Sequence, residues 1–403
     1  MESIKEIYKI GKGPSSSHTM GPKKAAEMFK GMYPGASSFV VTLYGSLAAT
    51  GKGHMTDVAL VEALKDERSP KVDIAWKPDV FLPQHPNGMN FQAFDAEGHL
   101  MGEKTLFSIG GGDISEDGKR QPEKSIYPYS KMKDILDWCN KYNSYFWEYV
   151  AQHEDPDIWD FLYERWVVMK KAIEDGLDHE GVLPGGLNVR RKAYSYYQHA
   201  MSYQNTMQRR GLLFSYALAV SEENAAGGTI VTAPTCGSCG VLPAVLYLIH
   251  TQYNVTEKKI INAMATAGLF GSVIKANASI SGAEVGCQGE VGSACAMACA
   301  AATRLFGGTP PQIECAAAMG MEHFLGLTCD PVCGLVQIPC IERNAFAAAR
   351  VMDCTQYSLM SDGSHIVPFD TVIEAMKRTG HDLPNLYKET SEGGLAYLVK
   401  KNQ

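Results

Sequence analysis

The chain has 403 residues, 45% hydrophobic and 20% charged, and 37 Lys+Arg against 44 Asp+Glu leave a net charge of −7. That length accommodates two domains or three, and the ordinary hydrophobic balance excludes a disordered chain. No dense Lys/Arg tract offers the basic footprint that phosphate backbones need, no apolar run approaches the roughly 18–20 residues that span a bilayer, and the start, MESIKEIYKI, lacks a signal peptide's apolar core. The expectation is a cytoplasmic protein with neither nucleic acid nor membrane as partner.

Residues 1–112 alternate short strands and helices. Residues 37–44 (SSFVVTLY) have the β-branched and aromatic content of a strand. Residues 54–65 read as an amphipathic helix with Val58, Val61 and Leu64 on one face, and 72–76 as another strand. Asn90–Ala93 and Leu100–Ile109, parted by Asp95-Ala96-Glu97-Gly98, form a hairpin. The stretch 113–128 (DISEDGKRQPEKSIYP) is polar and poor in aliphatic residues, as a linker is. Beyond it helical patterns dominate, long over 130–175 and 190–220, then packed with Ala, Gly and Cys over Glu290–Phe306. The fold class expected is α+β: a small α/β domain over 1–112, a linker over 113–128, and a larger all-α domain over 129–403.

Ten of the eleven cysteines lie after residue 230; the exception, Cys139 in WCNKY, reads as packing. In a chain without an export signal, cysteines point to metal ligation, catalysis or burial ahead of disulfides. Cys295, Cys299 and Cys315 lie in Ala-rich helical stretches and fit core packing. The remaining candidates are Cys236 and Cys239 (TCGSCG), Cys287 (GCQGE), and Cys329, Cys333 and Cys340 (TCDPVCGLVQIPC). Cys287, Cys329 and Cys340 each stand in a Gly- or Pro-rich segment near a helix boundary, where a loop can turn a thiolate inward. Three such thiolates suit a cubane cluster with one open iron, but spacing alone does not separate that from a structural zinc site.

The segments ASISGAEVGCQGEVGSACAMA (278–298), GLTCDPVCGLVQIPCIERN (326–344), GVLPGGLNVRRKA (181–193) and EENAAGGTIVTAPT (222–235) resemble the catalytic domain of iron–sulfur L-serine dehydratases. GPSSSHTMGP (13–22) and LYGSLAATGKGHMTD (43–57) resemble that family's smaller domain. The resemblance covers nearly the whole chain in the family's order. It implies an active site at the domain junction, a [4Fe–4S] cluster on Cys287, Cys329 and Cys340, L-serine as substrate, and pyruvate and ammonia as products. Two departures stand out. The chain ends in GGLAYLVKKNQ without the terminal cysteine that reaches the free iron in many single-chain members, and TCGSCG replaces the second half of the family's TAPTNGAAG. A Cys-x-x-Cys pair can form a redox switch, although two small substitutions near a helix start are the simpler reading.

Dehydrating serine requires a stabilised leaving hydroxide and a base for the Cα proton. Open iron supplies the first as a Lewis acid. His18 and His54 are candidates for the second, since imidazole is poised near neutral pH; taken alone either reads as a solvated surface histidine, and it is the resemblance that turns both toward the site. His54 is expected as base and His18 as an orienting group. Ser15, Ser16 and Ser17 precede a helix near Met20 and can both cap it and bind a carboxylate. Lys275 is a candidate for the substrate carboxylate, with Asn277, Ser279 and Arg343 as further substrate contacts and Glu284 and Glu290 as partners of the cluster loop. A cysteine desulfidase shares this chemistry. A pyridoxal-phosphate enzyme rests only on the weak loop Ser108-Ile109-Gly110-Gly111-Gly112, and a third reading is a non-catalytic iron–sulfur or zinc protein. A homodimer is the default for a cytosolic enzyme of this size.

Overall fold

The computed structural model describes residues 1–69, 71–119 and 125–401. Its strands are β1 (Ile10–Lys12), β2 (Ser38–Tyr44), β3 (Lys71–Lys77), β4 (Gly88–Phe94), β5 (Leu100–Ser108), β6 (Ile114–Ser115) and β7 (Thr229–Val231). Helices α1 (Gly21–Met32), α2 (Gly45–Thr50) and α3 (Thr56–Leu64) lie among the strands. The rest of the chain carries α4 (Met132–Tyr142), α5 (Phe146–His153), α6 (Ile158–Asp178), α7 (Ala193–Ser202), α8 (Asn205–Ala225), α9 (Val241–Gln252), α10 (Glu257–Asn277) and α11 (Gly282–Val285). It ends with α12 (Ser293–Leu305), α13 (Pro310–Glu322), α14 (Cys340–Leu359), α15 (Phe369–Asp382) and α16 (Gly394–Lys401).

A small N-terminal α/β domain is thus followed by a larger, mainly helical one. The small domain is a mixed sheet in the order β3-β2-β4-β5-β6, with β2 and β3 parallel and the other pairs antiparallel. Period-two alternation turns Phe39, Val41 and Leu43 of β2 and Met89, Phe91 and Ala93 of β4 inward. Ala25, Ala26 and Phe29 of α1 cover them, with the Phe29 ring 5.4 Å from that of Phe91. The expected hairpin forms as β4–β5. Helix α3 corrects its expected face: Ala59, Leu60 and Leu64 are buried and Val58 is exposed, because the i, i+1, i+5 stripe, not Val58, faces α1. The polar stretch expected as a linker begins inside the sheet, where β6 pairs with Phe107 and Ser108; residues 120–124 of it lie outside the described residues.

The first dozen residues pack on the helical domain. β1 pairs antiparallel with β7, Ile4, Ile7 and Tyr8 enter the large core, and Tyr8 donates its hydroxyl to the Met264 carbonyl at 2.8 Å. Helix α12 runs at the centre of that core against α9, α10, α13 and α14. Its Ala, Ser and Cys side chains are buried along nearly its whole length, which lets neighbouring backbones close in. Cys139, Cys295, Cys299 and Cys315 are buried in helices of this core. Among the described residues no helix is long and apolar enough to cross a membrane.

Candidate active site

Cys287 immediately precedes a π-helical turn, Gln288–Gly292, that runs straight into α12. Such turns widen a helix locally and cluster at functional sites. Gly286 before it has φ of +77°, and a Cβ there would sit 2.7 Å from the Leu327 carbonyl oxygen, so the chain needs glycine to swing Cys287 inward. Cys329 lies on a loop clamped to the C-terminal tail: its N–H donates to the Tyr387 carbonyl and its own carbonyl accepts from the Glu389 N–H, each at 2.8 Å. Cys340 opens α14. Cys333, in contrast, is turned to solvent at φ of +55° and takes no part.

The thiols of Cys287 and Cys329 both point at Glu290 Oε2, 4.0 and 3.9 Å away, and Glu290 Oε1 accepts the Thr235 hydroxyl at 2.9 Å. Ligand atoms of Cys287, Glu290 and Cys329 all lie within 4.8 Å of one another, and the Cys340 thiol is buried at the head of α14, beyond that trio. Contact with the Cys287 thiol and burial push Cys329 far above the usual thiol range, and burial with Cys287 does the same to Cys340. Burial pushes Glu290 up to about 7. Buried thiols held this close resist ionising unless a cation compensates them, which is what a thiolate-bound metal centre provides. The backbone at Gly282 passes so near that an added Cβ would lie 3.2 Å from Cys329 Sγ and 2.6 Å from Glu290 Oε2. Three soft donors from three segments, in a cradle without side chains on one wall, fit an iron–sulfur group. Arg343 stands beside them, donating to the Thr328 carbonyl at 2.7 Å and Asp330 Oδ1 at 3.1 Å. Burial lowers its pKa, but Cys287, Cys340 and Asp330 more than offset this and raise it.

Two turns of the small domain face this wall. Ser15 caps the π-helical turn Ser16–Met20 by accepting the His18 N–H, and Ser17 Oγ lies 2.9 Å from His18 Nδ1. His18 Nε2 contacts Ser46 Oγ at 3.1 Å. His54 precedes α3, and its Nδ1 lies 3.0 Å from the Thr50 carbonyl. A carbonyl only accepts, so Nδ1 carries the proton and Nε2 keeps its lone pair. The two turns also lock each other: Thr19 donates to the His54 carbonyl at 2.7 Å and Thr56 to the His18 carbonyl at 2.5 Å. The rings meet at 4.5 Å. Neither histidine is solvated as its sequence alone implied; both are fully buried. Burial lowers His54 to about 4, and burial with His54 alongside holds His18 well below the usual imidazole value.

Glu389 joins the two walls, and sequence reasoning missed it. Its Oε1 lies 3.4 Å from His18 Nδ1 and 3.7 Å from His54 Nε2. Burial, Glu290 and Cys287 together raise its pKa well above the carboxylate range. Nothing in LYKETSEGG marks it, since only the folded tail carries it beneath the histidines. The tail is fastened to the segment that carries Cys329: Ser391 Oγ donates to the Pro331 carbonyl at 2.6 Å and Leu395 N–H to Asp330 Oδ2 at 2.8 Å.

Three expected substrate contacts go elsewhere. Lys275 meets Asp113 Oδ2 at 2.9 Å and Glu2 Oε2 at 3.4 Å, because α10 points it at the N-terminal segment and the end of the small sheet. Asn277 ties off α10 by donating to the Ser130 and Val273 carbonyls, and Ser279 donates to Glu284. Cys236 and Cys239 are buried, Cys236 against Met20 at 3.4 Å, and the nearby Thr235 contributes to the site through Glu290.

The family model described as serine dehydratase beta chain matches residues 3–77, and that described as serine dehydratase alpha chain matches residues 88–396. The two meet between β3 and β4, inside one sheet. The chain is 42% identical to the L-serine dehydratase TdcG of Escherichia coli, with 99% of both chains covered. It is 40% identical to the L-serine dehydratase of Streptomyces coelicolor over 98% of this chain and 99% of that one, and 39% identical to that of Haemophilus influenzae over the full length of both. The chain belongs to the serine dehydratase family.

Proposed function

We propose that the protein is an L-serine ammonia-lyase in which Cys287, Cys329 and Cys340 hold a [4Fe–4S] cluster. The observation that carries this reading is the lone pair of His54 Nε2, buried, without a hydrogen-bond partner, and 3.7 Å from the carboxylate of Glu389, whose own N–H is bonded to the Cys329 carbonyl. Held by Cys287, Cys329 and Cys340, such a cluster would supply Lewis acidity to the departing hydroxide. The protein does the rest. His54 takes the Cα proton at Nε2 while the Thr50 carbonyl holds the opposite nitrogen protonated. With the proton and hydroxide gone, aminoacrylate tautomerises, and water then replaces its nitrogen, giving pyruvate and ammonia. Ser46 and Ser17 fix the His18 ring as an orienting group, and Ser15 and Ser16 shape the turn that presents it. Arg343 offsets the charge of the Cys287 and Cys340 thiolates. A cytoplasmic homodimer, with the small domain reaching through β6 and the helical domain running from 129, completes this reading; eleven free cysteines agree with a reducing compartment.

The test is anaerobic purification with iron and acid-labile sulfide analysis, followed by a pyruvate assay on L-serine with L-cysteine as control. About four irons per chain and serine-dependent pyruvate are expected. Zinc in place of iron, or iron with inert serine, overturns the proposal.

A further inference from the structure

Resting on the serine reading, we infer that Glu389 binds the α-ammonium group of the substrate and thereby sets Cα beside His54. L-Serine brings three polar groups into a buried space, and its ammonium needs a carboxylate there, since an unpaired buried cation is costly. Two buried carboxylates stand here, Glu290 at the thiols and Glu389 at the histidines. Glu290 already accepts the Thr235 hydroxyl and lies between two thiols. Glu389 is different: its Oε2 is buried without a hydrogen-bond partner, and among the described residues its ion-pair neighbours are His18 and His54 only. Neutral His54 has no proton at Nε2 to give it, because the proton is on Nδ1 facing Thr50.

The backbone of Glu389 is held at both its N–H and its carbonyl. Its N–H goes to the Cys329 carbonyl, its carbonyl accepts the Ser46 hydroxyl at 3.0 Å, and φ is +59°, a left-handed conformation that a glutamate adopts only where its surroundings impose it. The carboxylate is thus presented by a built site and not by a wandering tail. Its Oε1 stands 3.7 Å from His54 Nε2, so an ammonium bonded to it places Cα, one bond further on, within reach of the base. Amine recognition and proton abstraction then share one anchor.

The probe is 3-hydroxypropanoate, which has the carboxylate and hydroxyl of serine but no amine. With the anaerobic holoenzyme, the KM for L-serine and the Ki for 3-hydroxypropanoate are compared in the wild type, Glu389→Gln and Glu389→Asp, with iron content measured on each. The wild type is expected to favour serine strongly. Glu389→Gln should shrink that preference by roughly 10- to 100-fold, the worth of one charge-assisted hydrogen bond, with iron content and the Ki of 3-hydroxypropanoate unchanged; Glu389→Asp should keep part of it. A wild type that binds both ligands equally overturns the inference without any variant. So does a Glu389→Gln preference equal to the wild type's, or a stoichiometric divalent ion held by His18, His54 and Glu389 in addition to the iron. A wild type that makes no pyruvate from serine refutes the serine reading instead.

Discussion

At the scale of single residues, one hydrogen bond decides what His54 can do. The Thr50 carbonyl fixes its tautomer, and burial keeps it neutral at any ordinary pH. His54→Ala should therefore leave the iron content intact and cut kcat by roughly 10²- to 10⁴-fold, the usual worth of a general base; near-normal turnover would remove it from the mechanism. The lowered pKa makes two pH predictions. The acid limb of kcat/KM attributable to His54 should fall well below 6.5, toward about 4, and a limb at 6.5 would show that the ring is hydrated in solution. The folded state binds this proton less readily than the unfolded chain, so the stabilisation is present above 6.5 and lost as pH falls through 4. The full difference is worth roughly 3 kcal/mol, and denaturant midpoints measured between pH 7 and 4 should fall less steeply in His54→Ala. The cysteines follow the same logic: replacing Cys287, Cys329 or Cys340 with Ala should abolish bound iron, and full iron content in any one variant would strike it from the ligand set.

Between elements, close approach governs. Gly176 of α6 lies so near α8 that an added Cβ would meet the Ala219 carbonyl oxygen at 2.3 Å. Neither backbone can yield by rotating a side chain, so Gly176→Ala should destabilise the protein by about 1–3 kcal/mol, read as a lowered denaturant midpoint; an unchanged midpoint would mean that the helices slide apart freely. Elements of this kind were unequally legible. The β-branched and aromatic residues of SSFVVTLY announce β2, because such side chains suit the pleated, half-buried surface of a sheet. The inward face of α3 is not legible, because a nine-residue helix with apolar residues on several sides does not say which neighbour it will meet. β1 left no mark, because three residues, IGK, acquire strand geometry only by pairing with β7 more than 200 positions away.

Over the whole molecule, Lys275 shows how a residue near a site in sequence can serve the joint between domains. It comes from α10 of the helical domain and meets Asp113 at the end of the small sheet and Glu2 of the N-terminal segment. Lys275→Ala should lower the thermal midpoint while leaving the KM for L-serine unchanged. A raised KM with an unchanged midpoint would return Lys275 to the carboxylate role its sequence position implied. The proposed site depends on this joint, since His18 and His54 come from one domain and the cysteines from the other.

The sequence by itself determined the family, the two-part fold, the three cysteines and two histidines as candidates, and the strands whose burial repeats at short range. These are legible because thiols, imidazoles and glycine-rich turns are rare and their spacing is local. Only the tertiary structure decided that Glu389 stands between the histidines and the cysteines, that Thr19 and Thr56 lock the two histidine turns, and that Lys275, Asn277 and Ser279 turn to other partners. Each of these depends on which segments meet across tens to hundreds of residues, and a side chain's chemistry alone does not say what it will face.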